Sequence, residues 1–268
     1  MDDRPIGMFD SGFGGLTVAR AVMDLLPSES LVYLGDTGRY PYGPRSLDEV
    51  RDFAHQICDE LVRRRDVKAV VIACNTAAAA ALDSLRAEFD VPVIGVIDPG
   101  VRALVRATGH RRVAVIGTVG TINSGAYQRA LALSAPEVEL CPLACPGFVE
   151  FVERGETGSE QVHVLAQRLL APAVDAGVDA LLLGCTHYPY LARTISDVMG
   201  RDVVLVSSAD ETAFELRALI DSGELTPRSG AEARTTLFLT TGDVGWFTDL
   251  GGRLLGPELE GAEAVRLV

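Results

Sequence analysis

Along the whole chain, apolar runs of four to six residues alternate with longer stretches of helical periodicity. Strands buried on both faces read as continuous apolar runs, and linking them through helices makes the pairing parallel. The pattern predicts an α/β chain of mostly parallel sheets flanked by helices. In the first half, strands are expected near 5–9, 31–34, 69–73 and 93–97, with helices near 15–26, 46–65 and 76–88. In the second half, strands are expected near 112–116, 138–141, 180–184 and 203–206, with helices near 122–133, 159–176 and 189–199. After Ser207 come a helix near 210–222, a strand near 235–240, a helix near 245–255 and a short strand at 264–268.

The two halves correspond. Cys185 follows Cys74 by 111 residues (185 − 74), Val203 follows Val93 by 110 (203 − 93), and Val113 follows Ile6 by 107 (113 − 6). Such drift is the size of loop-length differences. We read a duplication: one α/β domain from 1–97 plus 208–268, a similar one from 98–207, and the functional site between them. Short apolar strands resemble one another, so chance agreement among generic βα units is the competing reading.

With 268 residues the chain is long enough for two medium-sized cores. Its net charge of −13 argues against nucleic acid as the main partner, since a phosphate backbone calls for Lys and Arg. A small anion held by backbone N–H groups stays compatible with it. The Arg63-Arg64-Arg65 run reads as a solvated helix end. An acidic start leading at once into a strand predicts no secretory leader. No apolar run approaches the ~20 residues of a membrane span. A cytoplasmic protein is expected, and an odd count of five cysteines fits reduced thiols there. Lys68 is the only lysine, and it stands at the start of the 69–73 strand, the end away from the expected site. That leaves no lysine for a pyridoxal phosphate Schiff base or for a P-loop.

Two of the apolar runs end in a cysteine: Ala73-Cys74-Asn75-Thr76 and Gly184-Cys185-Thr186-His187. Open parallel sheets bind ligands at the carboxyl ends of their strands, where both thiols are expected. Each would stand at a helix N-terminus, which favours a thiolate. His187, two residues on from Cys185, can tune that thiol or serve as an acid. A lone buried cysteine is usually inert; two in matching positions suggest a paired acid and base. Asp10-Ser11-Gly12-Phe13-Gly14-Gly15, after the first strand, offers exposed N–H groups and a carboxylate, although Asp10 and Ser11 could equally cap the next helix. The loop Gly35 to Ser46 carries Tyr40, Tyr42 and two arginines, which alone read as ordinary loop residues. Cys141, Cys145 and Cys185-Thr186-His187 do not match zinc spacings, so no metal is expected. Cys58 reads as core, and His55, His110 and His163 as structural or solvent-facing.

Together these residues resemble a known family. Ile6 through Leu16, Tyr40-Pro41-Tyr42-Gly43, Ala73 through Ala77 and Leu183 through Pro189 occur in the order found in the glutamate racemases, the cofactor-independent enzymes that supply D-glutamate for peptidoglycan. The resemblance implies Cys74 and Cys185 as the two catalytic bases with glutamate between them and no cofactor. It implies that Asp10, Ser11, Tyr42, Gly43, Asn75, Thr76, Thr186 and His187 line the substrate site. Asp10 would assist Cys74, and His187 would assist Cys185. The family's second-domain carboxylate falls on Glu153, with Glu150 the alternative. The family often forms dimers, so a homodimer is compatible. Three other readings stay open at this point: a related racemase acting on aspartate or another acid, a redox-active dithiol, and an anion-binding module without catalysis.

Overall fold

The computed structural model describes residues 1–229 and 234–267. One sheet holds six parallel strands: β1 (Ile6–Asp10), β2 (Leu31–Gly35), β3 (Ala69–Ile72), β4 (Val93–Gly95), β9 (Thr236–Thr240) and β10 (Glu263–Ala264), ordered β10-β9-β2-β1-β3-β4. The other holds β5 (Arg112–Gly117), β6 (Glu139–Ala144), β7 (Ala180–Gly184) and β8 (Val204–Ser207), ordered β6-β5-β7-β8 and also parallel. Taking β5 to β8 as the counterparts of β1 to β4, both sheets run second-first-third-fourth. The registers agree as well: Phe9 pairs with Ile72, and Ile116 pairs with Leu183. Cys74 and Cys185 each lie two residues beyond those partners (74 − 72 and 185 − 183), at equivalent points of the two copies. The expected final strand, 264–268, is limited to Glu263–Ala264, and Val268 lies outside the described residues.

The connecting helices are α1 (Leu16–Leu25), α2 (Leu47–Asp59), α3 (Asn75–Glu88), α4 (Ile97–Ala107), α5 (Val119–Asn123), α6 (Ala126–Ser134), α7 (Phe148–Glu153), α8 (Glu160–Asp175), α9 (Ala192–Met199), α10 (Ser208–Ser222) and α11 (Val244–Leu255). Local chemistry starts several of them. Ser46, Ser159 and Asp243 cap α2, α8 and α11 by accepting from Glu49, Val162 and Trp246 backbone N–H groups. A π-helical turn, Glu60–Arg64, continues α2 to the end expected for it.

Two helices depart from the sequence reading. The stretch expected to extend the fourth strand to 97 instead opens α4, and α7 forms where no helix is expected. Pro99 and Gly100 suggest a turn, but Pro99 sits in the first turn of α4, where a missing N–H costs nothing. The expected helix 122–133 is broken into α5 and α6 at Gly125, whose φ of +69° suits glycine.

The core is shared between the sheets. Alternate residues of β5 and β7 point to opposite faces. Val113, Val115, Ala180 and Leu182 join the core of the first sheet, alongside Val101 and Leu104 of α4. Ala114, Ile116, Leu181 and Leu183 pack with Phe148, Val152 and Leu170 in a separate cluster on the other face. No helix among the described residues is long and apolar enough to cross a membrane.

Candidate active site

The carboxyl ends of β1, β3, β5 and β7 converge on a cavity of about 310 Å³. From the first sheet, Ser11, Tyr42, Gly43, Cys74, Asn75 and Thr76 line it. From the second come Cys185, Thr186 and His187. Every one of these carries a role in the family resemblance. The two thiols are free, buried, and walls of the same space.

Cys74 caps α3 with its backbone extended, so its side chain leaves the strand at a helix N-terminus. Burial pushes its thiol up to about 12, and the Asp10 carboxylate adds to this; the backbone N–H groups of Ala77 and Ser11 pull the other way. Asn75, next along, accepts at Oδ1 from the Tyr127 hydroxyl. Its Nδ2 is buried without a hydrogen-bond partner although the residue lines the cavity. A buried amide donor left over costs about 1–3 kcal/mol, so this atom is set to donate to an anion entering the cavity. Thr76 Oγ1 lies 3.0 Å from Thr118 Oγ1 and 3.1 Å from Thr121 Oγ1, tying α3 to the loop and helix after β5.

On the other side, Cys185 Sγ lies 3.9 Å from His187 Nδ1. His187 Nε2 faces Glu153 Oε1 at 3.5 Å, an ion-pair distance. Burial alone would lower the His187 pKa, but the contacts with the Cys185 sulfur and the Glu153 carboxylate, with the charges of Cys185 and Asp10, carry it to about 10. The imidazole is thereby favoured in its protonated form, between the Cys185 sulfur and the Glu153 carboxylate. Of the two candidates for the second-domain carboxylate, Glu153 stands behind His187 and Glu150 lines the cavity itself.

Asp10 also stands behind the wall. Its Oδ1 accepts from Gly12 N–H at 2.8 Å and its Oδ2 from the Thr186 hydroxyl at 3.2 Å, so one carboxylate ties the glycine-rich loop of the first sheet to the β7 loop of the second. The two segments meet so closely that a Cβ on Gly14 would fall 2.3 Å from Thr186 Oγ1 and 2.5 Å from His187 Nδ1. The Tyr42 hydroxyl donates to Asp36, a buried carboxylate that also accepts from Arg39 Nε at 2.7 Å and from Thr241 Oγ1.

Tyr40, Cys145 and Glu150, the alternative second-domain carboxylate, also line the wall, as does Thr118, which the sequence reading did not name. Thr118 was within reach of it, because as the second residue after Ile116 it is the duplicate of Ser11, the second after Phe9. Cys145 reaches the wall through the loop after β6, its thiol pushed up to about 12 by burial and by Cys185. Cys58 is core within α2. His55 bonds Glu88 at 2.5 Å and Ser84 at 2.8 Å, clasping α2 to α3. Lys68 is fully buried at the far end of β3, its Nζ 2.7 Å from Glu29 and donating to the carbonyls of Asp2 and Thr226.

Residues 16–215 match the family model described as Asp/Glu/Hydantoin racemase. A glutamate racemase of Mycobacterium leprae is 52% identical over 98% of this chain and 96% of its own length. The crystal structure of a glutamate racemase isoform from Bacillus anthracis superposes with a TM-score of 0.92 at 39% identity, covering 100% of this chain and 98% of that one. A glutamate racemase from Francisella tularensis, solved in complex with D-glutamate, gives 0.91 at 34% identity, covering 99% of this chain and 98% of its own.

Proposed function

The chain belongs to the glutamate racemase family, within the Asp/Glu/Hydantoin racemases, and on that premise we propose that it interconverts L- and D-glutamate by cofactor-independent, two-base 1,1-proton transfer, supplying D-glutamate for peptidoglycan synthesis. The observation that carries the reading is the pair of free thiols at equivalent register positions of two copies of one βα unit, walling one cavity. The lone lysine, ion-paired at the opposite end of β3, leaves a Schiff base without a donor.

Racemisation takes a proton from one face of Cα and returns another to the opposite face. One sulfur begins as thiolate and the other as thiol; the reverse reaction exchanges them, so near-identical groups serve both directions. Negative charge spreads from Cα onto the α-carboxylate in the transition state. Fixed donors at that carboxylate strengthen as the charge grows, and a preorganised donor is worth about 3–4 kcal/mol. Asn75 Nδ2 and the hydroxyls of Ser11, Thr76 and Thr186 are of the right kind. Asp10 assists Cys74, and His187, with Glu153 behind it, assists Cys185. Closure of the two domains, 1–97 with 208–268 and 98–207, would exclude water from the carbanion-like state. On this reading the protein works in the cytoplasm, and a homodimer is to be sought by light scattering.

The test is incubation with L-glutamate in D2O without pyridoxal phosphate. We expect D-glutamate to appear with deuterium at Cα, and Cys74→Ser and Cys185→Ser each to slow it by at least ~10²-fold, the lower range for losing a positioned acid or base. Neither label nor D-isomer from the wild-type protein would sink the reading. Near-normal turnover in either variant would sink the two-base assignment. A reversible Cys74–Cys185 disulfide would favour the redox alternative, and a preference for aspartate would move the substrate assignment.

A further inference from the structure

Asn75 is the wall residue whose orientation sets what it can do. It is buried at the start of α3, with its amide at the cavity. A side-chain amide donates at one end and accepts at the other, and its last torsion is broad and nearly two-fold. Shape alone therefore does not settle which end meets a ligand. A hydrogen bond does. The Tyr127 hydroxyl donates to Asn75 Oδ1, and Nδ2 is left buried without a partner.

Tyr127 comes from the other sheet. It stands in the first turn of α6, between β5 and β6, just past the break at Gly125. Its side chain is fully buried, and its ring lies on the backbone of β7: a Cβ on Gly184, the residue before Cys185, would fall 3.0 Å from Tyr127 Cε2. The strand that carries one thiol thus seats the ring, while the hydroxyl reaches the residue that follows the other thiol, Cys74. Burial, then the charges of Cys185 and Asp98, hold the phenol far above its ordinary range, so it keeps its proton. Among the described residues that proton has one acceptor, Asn75 Oδ1. Turning the amide over would strand the phenol O–H inside the protein and set Oδ1, an acceptor, against any carboxylate in the cavity.

We propose that Tyr127 is a positioning residue for the reaction: reaching across from the second sheet, its hydroxyl locks the Asn75 amide with Nδ2 toward the cavity, so that the substrate carboxylate meets a donor already aimed. This rests on the racemase reading above. A donor oriented before the substrate arrives needs no reorganisation as charge grows on the carboxylate. Its loss belongs in kcat more than in KM, because the interaction strengthens toward the transition state.

The experiment is a double-mutant cycle of Tyr127→Phe and Asn75→Ala, read as kcat and KM for glutamate well below the melting temperature of each variant, with Cα deuterium exchange followed over hours for the slow ones. Tyr127→Phe removes the hydroxyl and keeps the ring. It should lower kcat by about 5- to 20-fold, less than the ~10²-fold that follows deletion of a preorganised donor, and move KM by less than about 3-fold. In the Asn75→Ala background the same change should lower kcat less than about 2-fold, because a residue acting through a partner has no effect once the partner is gone. A second measurement needs no variant to be active. Asn123 is the only other asparagine, so selective 15N-asparagine labelling reads the Asn75 amide directly. Without glutamate, its order parameter in the wild-type protein should exceed the ~0.6 below which a group is flexible. A lower value would overturn the proposal. So would a Tyr127→Phe protein that melts earlier but keeps its kcat, a loss confined to KM, or equal losses of kcat in both backgrounds. A wild-type protein that exchanges no Cα proton would remove the racemase reading and this one together; a normal wild-type rate with any of those outcomes removes this one alone.

Discussion

At the residue scale, the site separates two kinds of work. Cys74 and Cys185 stand at the cavity, while Asp10, His187 and Glu153 set the charge around them. The His187 pKa, raised from 6.5 to about 10, makes a specific statement about pH. A group whose folded pKa is raised stabilises the fold fully below its unfolded value and loses that contribution as pH climbs through the folded one. His187 thus contributes its full share below pH ~6.5 and none well above 10. Replacing it with Asn should lower the melting temperature most near pH 6, and the gap to the wild type should close as pH rises through about 10. Thermal melts of the two proteins across pH 6 to 10.5 check this; a gap that widens with pH would mean that burial, not its partners, governs the imidazole. The sequence made the cysteines, Asp10, Asn75 and His187 legible because each follows an apolar run directly. That Tyr40 and Glu150 reach the cavity wall was not legible, because each lies inside a loop or short helix whose path depends on packing between the sheets.

At the scale of elements, the glycine-rich turn between β1 and α1 sets how near the halves approach. The backbone of Gly14 passes where a methyl group would strike Thr186 Oγ1 and His187 Nδ1. Neither neighbour is free to move: Thr186 donates to Asp10, and His187 is held between Cys185 and Glu153. Gly14→Ala should therefore shift the imidazole and cost about 10²-fold or more in kcat, with helix content unchanged. Gly158→Ala, with nothing within 4 Å of the added methyl, is the matched control and should leave kcat within 2-fold. Circular dichroism and steady-state kinetics on both variants decide it, and equal kinetics would mean the turn can yield. Elements themselves were legible where apolar period and capping agreed, as in α2, α8 and the central strands. They were not where a single residue misled. Pro99 hides the start of α4, and the strand expected to end at 141 runs on through Pro142 to Ala144, which β6 tolerates as an edge strand lacking a neighbour on one side.

At the scale of the whole molecule, the chain crosses to the second sheet through α4 and returns through α10, after which its tail completes the first sheet. β9 pairs with β2 along five residues, from Leu31↔Thr236 to Gly35↔Thr240. The tail also supports the site. Phe247 stacks on Phe13 at 5.5 Å, Trp246 meets the same ring edge-on at 4.7 Å, and Thr241 bonds Asp36, the carboxylate that holds Tyr42. Cutting the chain after Gly223 would turn β2 into an open edge, expose Leu16 and Phe13, and leave a buried aspartate short of a partner. An exposed apolar edge of that length invites pairing between copies, and losing the burial of Phe238, Leu239, Phe247 and Leu250 removes about 1.5–3 kcal/mol per side chain. That sum is comparable to the whole stability of a typical domain. A chain of residues 1–223 should accordingly fail to melt cooperatively and should elute as aggregate on size exclusion. If it melts as sharply and as hot as the full chain and still racemises, then the tail is an accessory, and the first half folds and catalyses without the strand that β2 pairs with here.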